Sequence, residues 1–122
     1  MIYLVDSSGW IEYFGEGPRS AEYSKYLKDQ SRLITPTIVL YEVYKRFKKE
    51  RTEGDALIVV SSINKTKIVP LTESIALFAG DLSLRHGLHM ADAIVYATAL
   101  EGGAKVITSD EHFRGLEGVV II

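Results

Sequence analysis

Apolar residues in this chain gather into short β-branched runs separated by longer stretches of helical spacing. Ile2-Tyr3-Leu4-Val5 is the first such run and reads as a central strand. It ends at Asp6, and Ser7 or Ser8 is placed to cap a short helix through Phe14. Gly15-Glu16-Gly17-Pro18 breaks that helix. A second helix is predicted from Ser20 to Gln30, with Ala21, Tyr23, Tyr26 and Leu27 as its apolar positions. Arg32 to Thr35 reads as a brief strand, because Pro36 biases Thr35 toward extended backbone. Thr37 is expected to cap a long helix running to about Arg51. Its first half is apolar (Ile38, Val39, Leu40, Tyr41, Val43) and its second half is basic.

Thr52 to Asn64 predicts another helix, weakened by Gly54 near its start. Lys67 to Pro70 is a third strand, and Thr72 caps a helix to about His86 through the stripe Ile75, Ala76, Phe78, Ala79, Leu82. Met90 to Leu100 is apolar nearly all round, the mark of a helix buried on most faces. Gly102-Gly103 ends it, since glycine takes the left-handed conformation without a Cβ clash. Lys105 to Thr108 and Gly118 to Ile122 complete the pattern as strands. Strands alternating with helices predict an α/β fold, a parallel sheet covered on both faces. The pattern leaves the strand order open.

A length of 122 residues suits one domain over 1–122, and 47% hydrophobic residues can fill its core without staples. The absence of cysteine excludes disulfides and thiolate metal sites. The start, MIYLVD, lacks the basic and apolar regions of a signal peptide, and no apolar run approaches a membrane span. A soluble, cytoplasmic protein with no membrane association is expected. A net charge of −2 provides no global positive field for nucleic acid. The basic run KRFKKER, residues 45–51, is the local exception. It suits phosphate contacts, and equally a solvated helix end whose cations complement the dipole.

Four acids stand apart from the rest. Asp6 follows the first strand, Glu42 lies in the apolar half of the long helix, Asp92 sits in the first turn of the buried helix, and Asp110 lies just past a strand. Ligand sites in open α/β sheets lie beyond the carboxyl ends of the strands. Glu50, Glu53 and Asp55, by contrast, sit in polar surroundings and read as solvated surface. A charged acid on a core-facing helix costs several kcal/mol unless paired or metal-bound. No Lys or Arg stands at helical spacing beside Asp92. A hard divalent cation is the natural neutraliser for converging carboxylates, and Mg²⁺ suits phosphate chemistry. Singly, each acid also reads as a turn or helix cap. His89 and His112 flank the acids and read as surface or capping residues rather than a catalytic base. Trp10, Tyr13 and Phe14 suit core, partner contact or base stacking alike.

Other doubly wound sites fail on particular residues. The third strand ends Ile68-Val69-Pro70, where a phospho-receiver needs an Asp, and Asp6-Ser7-Ser8 is not the D-x-D of a haloacid dehalogenase. Neither a P-loop nor a G-x-S-x-G elbow occurs.

Three blocks together resemble the PIN-domain nucleases, and at this length the VapC-type toxins of prokaryotic toxin–antitoxin pairs. They are YLVDSSGWIEYF, TPTIVLYEVYKRF and HGLHMADAIVYATALEGGAKVITSDEHF, which span the chain in the family's order. The resemblance implies a five-stranded parallel sheet of order 3-2-1-4-5 sandwiched by helices, and a Mg²⁺- or Mn²⁺-dependent endoribonuclease. It also implies a homodimer and a cognate antitoxin that blocks the site, reaching a cation toward the acids. The family's metal-binding acids fall on Asp6, Glu42, Asp92 and Asp110, and its hydroxyls on Thr108 and Ser7. Asp6 and Asp92 would be principal ligands, Glu42 a ligand or the orienter of the attacking water, and Asp110 an outer ligand. A non-catalytic RNA- or protein-binding module and a structure-specific DNA nuclease remain the alternatives.

Overall fold

The computed structural model describes all residues, Met1–Ile122. Chain order is β1 (Ile2–Val5), α1 (Ser7–Phe14), α2 (Ser20–Leu27), a 3₁₀ turn Gln30–Arg32, β2 (Ile34–Pro36), α3 (Thr37–Glu50) and α4 (Glu53–Ile63). Then come β3 (Lys67–Val69), α5 (Glu73–His86), α6 (Met90–Glu101), β4 (Ala104–Thr108), a 3₁₀ turn Glu111–Phe113 and β5 (Val119–Ile121). Every strand pair is parallel. Helices pack in pairs, α5 on α6, α3 on α4, and α1 on both α2 and α3. One core runs through the molecule, from Leu4 and Val5 of β1 to Ala97 and Ala99 of α6 and Val106 and Ile107 of β4. No helix is long and apolar enough to cross a membrane.

The single five-stranded sheet is corrected. β1, β4 and β5 form a three-stranded sheet in the order β1-β4-β5, and β2 pairs with β3 in a separate two-stranded sheet. The two meet through one parallel bridge, Tyr3 to Leu33. The physical reason lies in β2, which is three residues long and ends in Pro36, a residue without an N–H to give. Thr37 already belongs to α3, so β2 has little ladder to share with β1.

Several element ends also differ from the sequence pattern. Asp6, not Ser7 or Ser8, is the N-cap of α1, and its side chain accepts from the Gly9 N–H at 3.1 Å. Helix α2 stops at Leu27, and a 3₁₀ turn capped by Asp29 takes over Gln30–Arg32. The N-cap of α3 is Pro36, with no side-chain hydrogen bond. Thr52 and Thr72 do cap α4 and α5, each accepting a backbone N–H at 3.1 Å. After α6 it is Gly103, at φ 64°, that takes the left-handed conformation, whereas Gly102 does not.

Trp10 is 1% exposed and stacks on Phe14, so it belongs to the core and not to a partner surface. Tyr13 and Phe14 are half-buried against that core.

Candidate active site

Parallel pairing decides which loops meet. Val5 lies opposite Ile107 in the register of β1 and β4, so the residues following both strands emerge at the same edge. The Asp6 amide continues the ladder by donating to the Ile107 carbonyl at 3.5 Å. Asp6 and Thr108 thereby become neighbours across 102 positions, and the Thr108 hydroxyl donates to Asp6 Oδ2 at 2.5 Å. The same hydroxyl accepts the Asp110 N–H at 3.0 Å. Thr108 thus fixes the carboxylate after β1 and the backbone after β4 at once.

Asp6 is the most enclosed of the acids, 6% exposed. Besides Thr108 it accepts from Gly9 N, and the Ser8 hydroxyl lies 3.0 Å from each of its oxygens. Burial nevertheless dominates and pushes its pKa up to about 6. The hydrogen bonds from Thr108, Gly9 and Ser8 pull the other way, and the charge of Asp110 adds to the rise. Gly9 makes this packing feasible. A Cβ there would lie 2.4 Å from Val5 Cγ1 and 2.6 Å from Tyr23 Cε1. Tyr23, fully buried, closes the floor and donates its hydroxyl to Ser109 Oγ at 3.1 Å.

Asp92 and Asp110 form the open side. Asp92 is the third residue of α6, and Asp110 caps the 3₁₀ turn 111–113 by accepting the His112 N–H at 2.9 Å. The His112 imidazole stands between them, its Nδ1 3.7 Å from Asp92 Oδ2 and 3.4 Å from Asp110 Oδ1. One ligand atom from each of Asp92, Asp110 and His112 lies within 4.8 Å of the others. His89 lies near His112, with ring centroids 5.7 Å apart and ring planes tilted by 54°. Burial raises the pKa of Asp92, the Asp110 charge raises it further, and His112 and His89 lower it.

Glu42 lies on α3, half-buried. Burial lifts its pKa, the neighbouring Ser7 hydroxyl lowers it, and the charge of Asp92 raises it. Asp6 and Asp92 each feel the charge of Asp110, and Glu42 feels that of Asp92. The structure brings Asp92 and Asp110 within one ion's reach. Asp6 is tied to that pair by Thr108, while Glu42 lies outside the 4.8 Å group but near enough to feel the charge of Asp92. Sequence reasoning missed His112 as a member of this group, placed Tyr23 only among the apolar positions of the second helix, and missed Gly9 and Ser109 altogether. His112 had one available signal, its position two residues after Asp110, where a 3₁₀ turn folds it back over the acid.

The donor set fits a divalent ion. It offers hard carboxylate oxygens and one imidazole, and the 4.8 Å spread is close to what ligand bonds of about 2.0–2.2 Å span. No lysine or arginine neutralises Asp6, Glu42, Asp92 or Asp110; the cations that do form ion pairs serve other acids.

Comparison with known proteins gives a consistent assignment. The family model described as PIN domain matches residues 3–119. None of the curated proteins matches the sequence. Among solved structures, the chain is similar to one in a toxin–antitoxin complex from Klebsiella pneumoniae. That chain is 27% identical with a TM-score of 0.80, covering 97% of this chain and 95% of that one. DNA-bound VapBC from Salmonella typhimurium is 19% identical at TM-score 0.74, covering 100% and 98%. The Sarcin-Ricin loop cleaving toxin VapC20 of Mycobacterium tuberculosis is 14% identical at TM-score 0.74, covering 92% and 91%.

Proposed function

The chain belongs to the PIN-domain family, and from that premise we propose that it is a metal-dependent endoribonuclease, the toxin of a toxin–antitoxin pair. The observation that carries this reading is the meeting of Asp92, Asp110 and His112 within 4.8 Å, beside an Asp6 held by Thr108. The reading treats residues 1–122 as one PIN-like nuclease domain working in the cytoplasm. Asp92 and Asp110 would hold Mg²⁺ or Mn²⁺ together with Asp6, with Glu42 flanking. An ion held there would lower the pKa of water and stabilise charge on the phosphoryl oxygens.

The protein's own groups do the remaining work. Glu42, whose pKa burial raises, orients the attacking water and takes its proton. As the water oxygen bonds to phosphorus, the bond to the leaving ribose oxygen breaks, and that oxygen takes a proton from solvent. Thr108 holds Asp6 and the Asp110 backbone in place, and Ser7 stands beside Glu42.

The toxin assignment is supported by the neighbour in a toxin–antitoxin complex, which this chain covers almost end to end. A cognate antitoxin would occupy the acidic corner with a cation. Arg suits this best, because its fork pairs two carboxylate oxygens. A homodimer is supported by apolar side chains left in the open on α5 and its flanks: Leu71, Leu77, Leu84 (89% exposed) and Met90. A solution mass of 13.6 kDa would contradict the dimer.

The test of function is a cleavage assay on single-stranded RNA with Mg²⁺, Mn²⁺ or chelator. Cutting that needs the metal supports the reading. RNA binding without cutting in either metal would favour the non-catalytic module, and cutting confined to branched DNA the DNA nuclease.

A further inference from the structure

Helix α3 carries more than Glu42. A groove of about 330 Å³ has Ser7 and Glu42 at the acidic end and Lys45 and Lys49 farther along, with Tyr41 on its wall. A shallower depression shares Tyr41, Lys45 and Lys49 and continues to Tyr44 and Lys48. The acidic corner therefore opens directly onto an aromatic and basic face.

Charges on this face divide into two sets. Arg46 is paired with Glu50 at 2.6 Å, and Lys48 with Glu53 at 3.6 Å. Lys45 and Lys49 have no carboxylate within ion-pair distance. Lys45 instead donates to the Tyr41 hydroxyl at 3.3 Å and lies 5.5 Å from the ring centroid. Lys48 repeats the motif on Tyr44, at 3.2 Å and 5.4 Å. Tyr41 is 57% exposed, so much of a large ring is open to solvent beside an ammonium that no carboxylate neutralises.

A solvated helix end accounts for cations in the last turn, where Lys48 and Lys49 lie. It does not account for Lys45, which lies a turn earlier, nor for two tyrosines interleaved with the lysines. Spacing adds a second argument. Glu42, Lys45 and Lys49 recur at i, i+3 and i+7, one stripe of the helix. Lys45 and Lys49 are about 6 Å apart along the axis, a step comparable with that between consecutive phosphates of an extended strand.

We propose that this face of α3 is a track for single-stranded RNA leading into the acidic corner. Lys45 and Lys49 hold successive phosphates, and Tyr41 stacks an unpaired base next to Glu42. The proposal rests on the ribonuclease reading and adds the path of the substrate. A chain of net charge −2 with a cluster of acids at its site repels polyanions, so local unpaired cations are what bring a phosphate strand there. Stacking on tyrosine tolerates any base, so the track sets register and leaves sequence choice to other contacts.

The test is fluorescence anisotropy with a labelled oligouridylate, chelator present to prevent cutting, across a series of salt concentrations. Each phosphate-neutralising lysine contributes about 0.7 to the slope of log affinity against log salt for a single strand. Lys45→Gln/Lys49→Gln should therefore flatten the slope by about 1.4, while Lys65→Gln/Lys67→Gln, at the far end of the strands, should match the parent. Tyr41→Leu should weaken binding roughly 5- to 100-fold and Tyr41→Phe hardly at all. Thermal melts of these surface variants should stay near that of the parent. The track is overturned if the parent does not bind the oligomer, if the lysine pair leaves the slope unchanged, or if Tyr41→Leu binds like the parent. Should any of these occur while the parent cuts RNA, the track fails and the ribonuclease reading stands. Should binding show the full lysine dependence without cutting in Mg²⁺ or Mn²⁺, the ribonuclease reading fails and the track stands.

Discussion

Asp6 and Asp92 are the same residue type at opposite sides of one corner, and their surroundings differ sharply. Asp6 is enclosed and receives donors from Thr108, Gly9 and Ser8. Asp92 is about a quarter exposed at its side chain, and its neighbours are another acid and a histidine. The enclosed acid is held by the protein; the open one waits for something from outside. Burial without enough donors raises a carboxylate's pKa, and proximity to like charge raises it too. Both effects cost the folded chain stability, and a bound cation relieves both. The corner thus has a rigid side that fixes geometry and an open side where, on the proposed reading, the ion would bind.

Breaking the open side should have the largest effect on activity. Asp92→Asn is nearly isosteric and relieves repulsion with Asp110 and Glu42, so the fold should persist. RNA cleavage should fall by more than about a hundredfold, beyond the 10- to 100-fold usual for the hydrogen-bond partner of a ligand. Cleavage at the parent's rate by this variant would show that the open side is not the reacting side.

Breaking the rigid side without touching an acid comes next. Thr108→Val removes the hydroxyl that donates to Asp6 and accepts from Asp110 N. Activity should drop about 10- to 100-fold, with a stability loss of about 1–3 kcal/mol from stranded buried partners. Thr108→Ser should recover most of both. Equal loss of activity in the serine variant would mean that the methyl, and not the hydroxyl, matters.

The most diagnostic break leaves activity aside and reads stability against pH. The folded pKa of Asp6 is about 6, above its unfolded value near 3.8, which is the reverse of an ion-paired carboxylate. The folded state then binds more protons between those values, so metal-free stability falls as pH rises from about 4 to 6 and stays low above that. The loss amounts to about 3 kcal/mol. Asp6→Asn should therefore be more stable than the parent at pH 7 and close to it at pH 4. Denaturant melts with chelator present would read this, and a variant less stable at pH 7 would contradict the burial account.

Much of this corner was legible in the sequence, for identifiable reasons. Asp6, Asp92 and Asp110 stand at the ends of strongly patterned elements, and parallel pairing forces the loops after β1 and β4 together. Glu42 could be singled out because Val39, Val43 and Phe47 bury their side of α3, leaving an acid out of pattern. The split of the sheet was hidden, because strand length at β2 depends on how soon α3 begins after Pro36. The capping role of Asp6 was assigned to the serines after it, which have equal propensity for the position. His112 escaped because its place beside Asp92 is set by a 3₁₀ turn, and sequence periodicity does not register three-residue turns. Gly9 escaped, and Tyr23 was legible only as a core position, because the close packing of α1 on α2 beside the site leaves no local pattern.

Binding of Mn²⁺ followed by electron paramagnetic resonance tests the division between rigid and open sides most directly. The parent should bind Mn²⁺ with a nitrogen coupling from the His112 imidazole. His112→Ala should lose that coupling while keeping the ion, and Asp92→Asn should lose the ion itself. Mn²⁺ bound equally well by Asp92→Asn, or by none of the three proteins, would contradict the account.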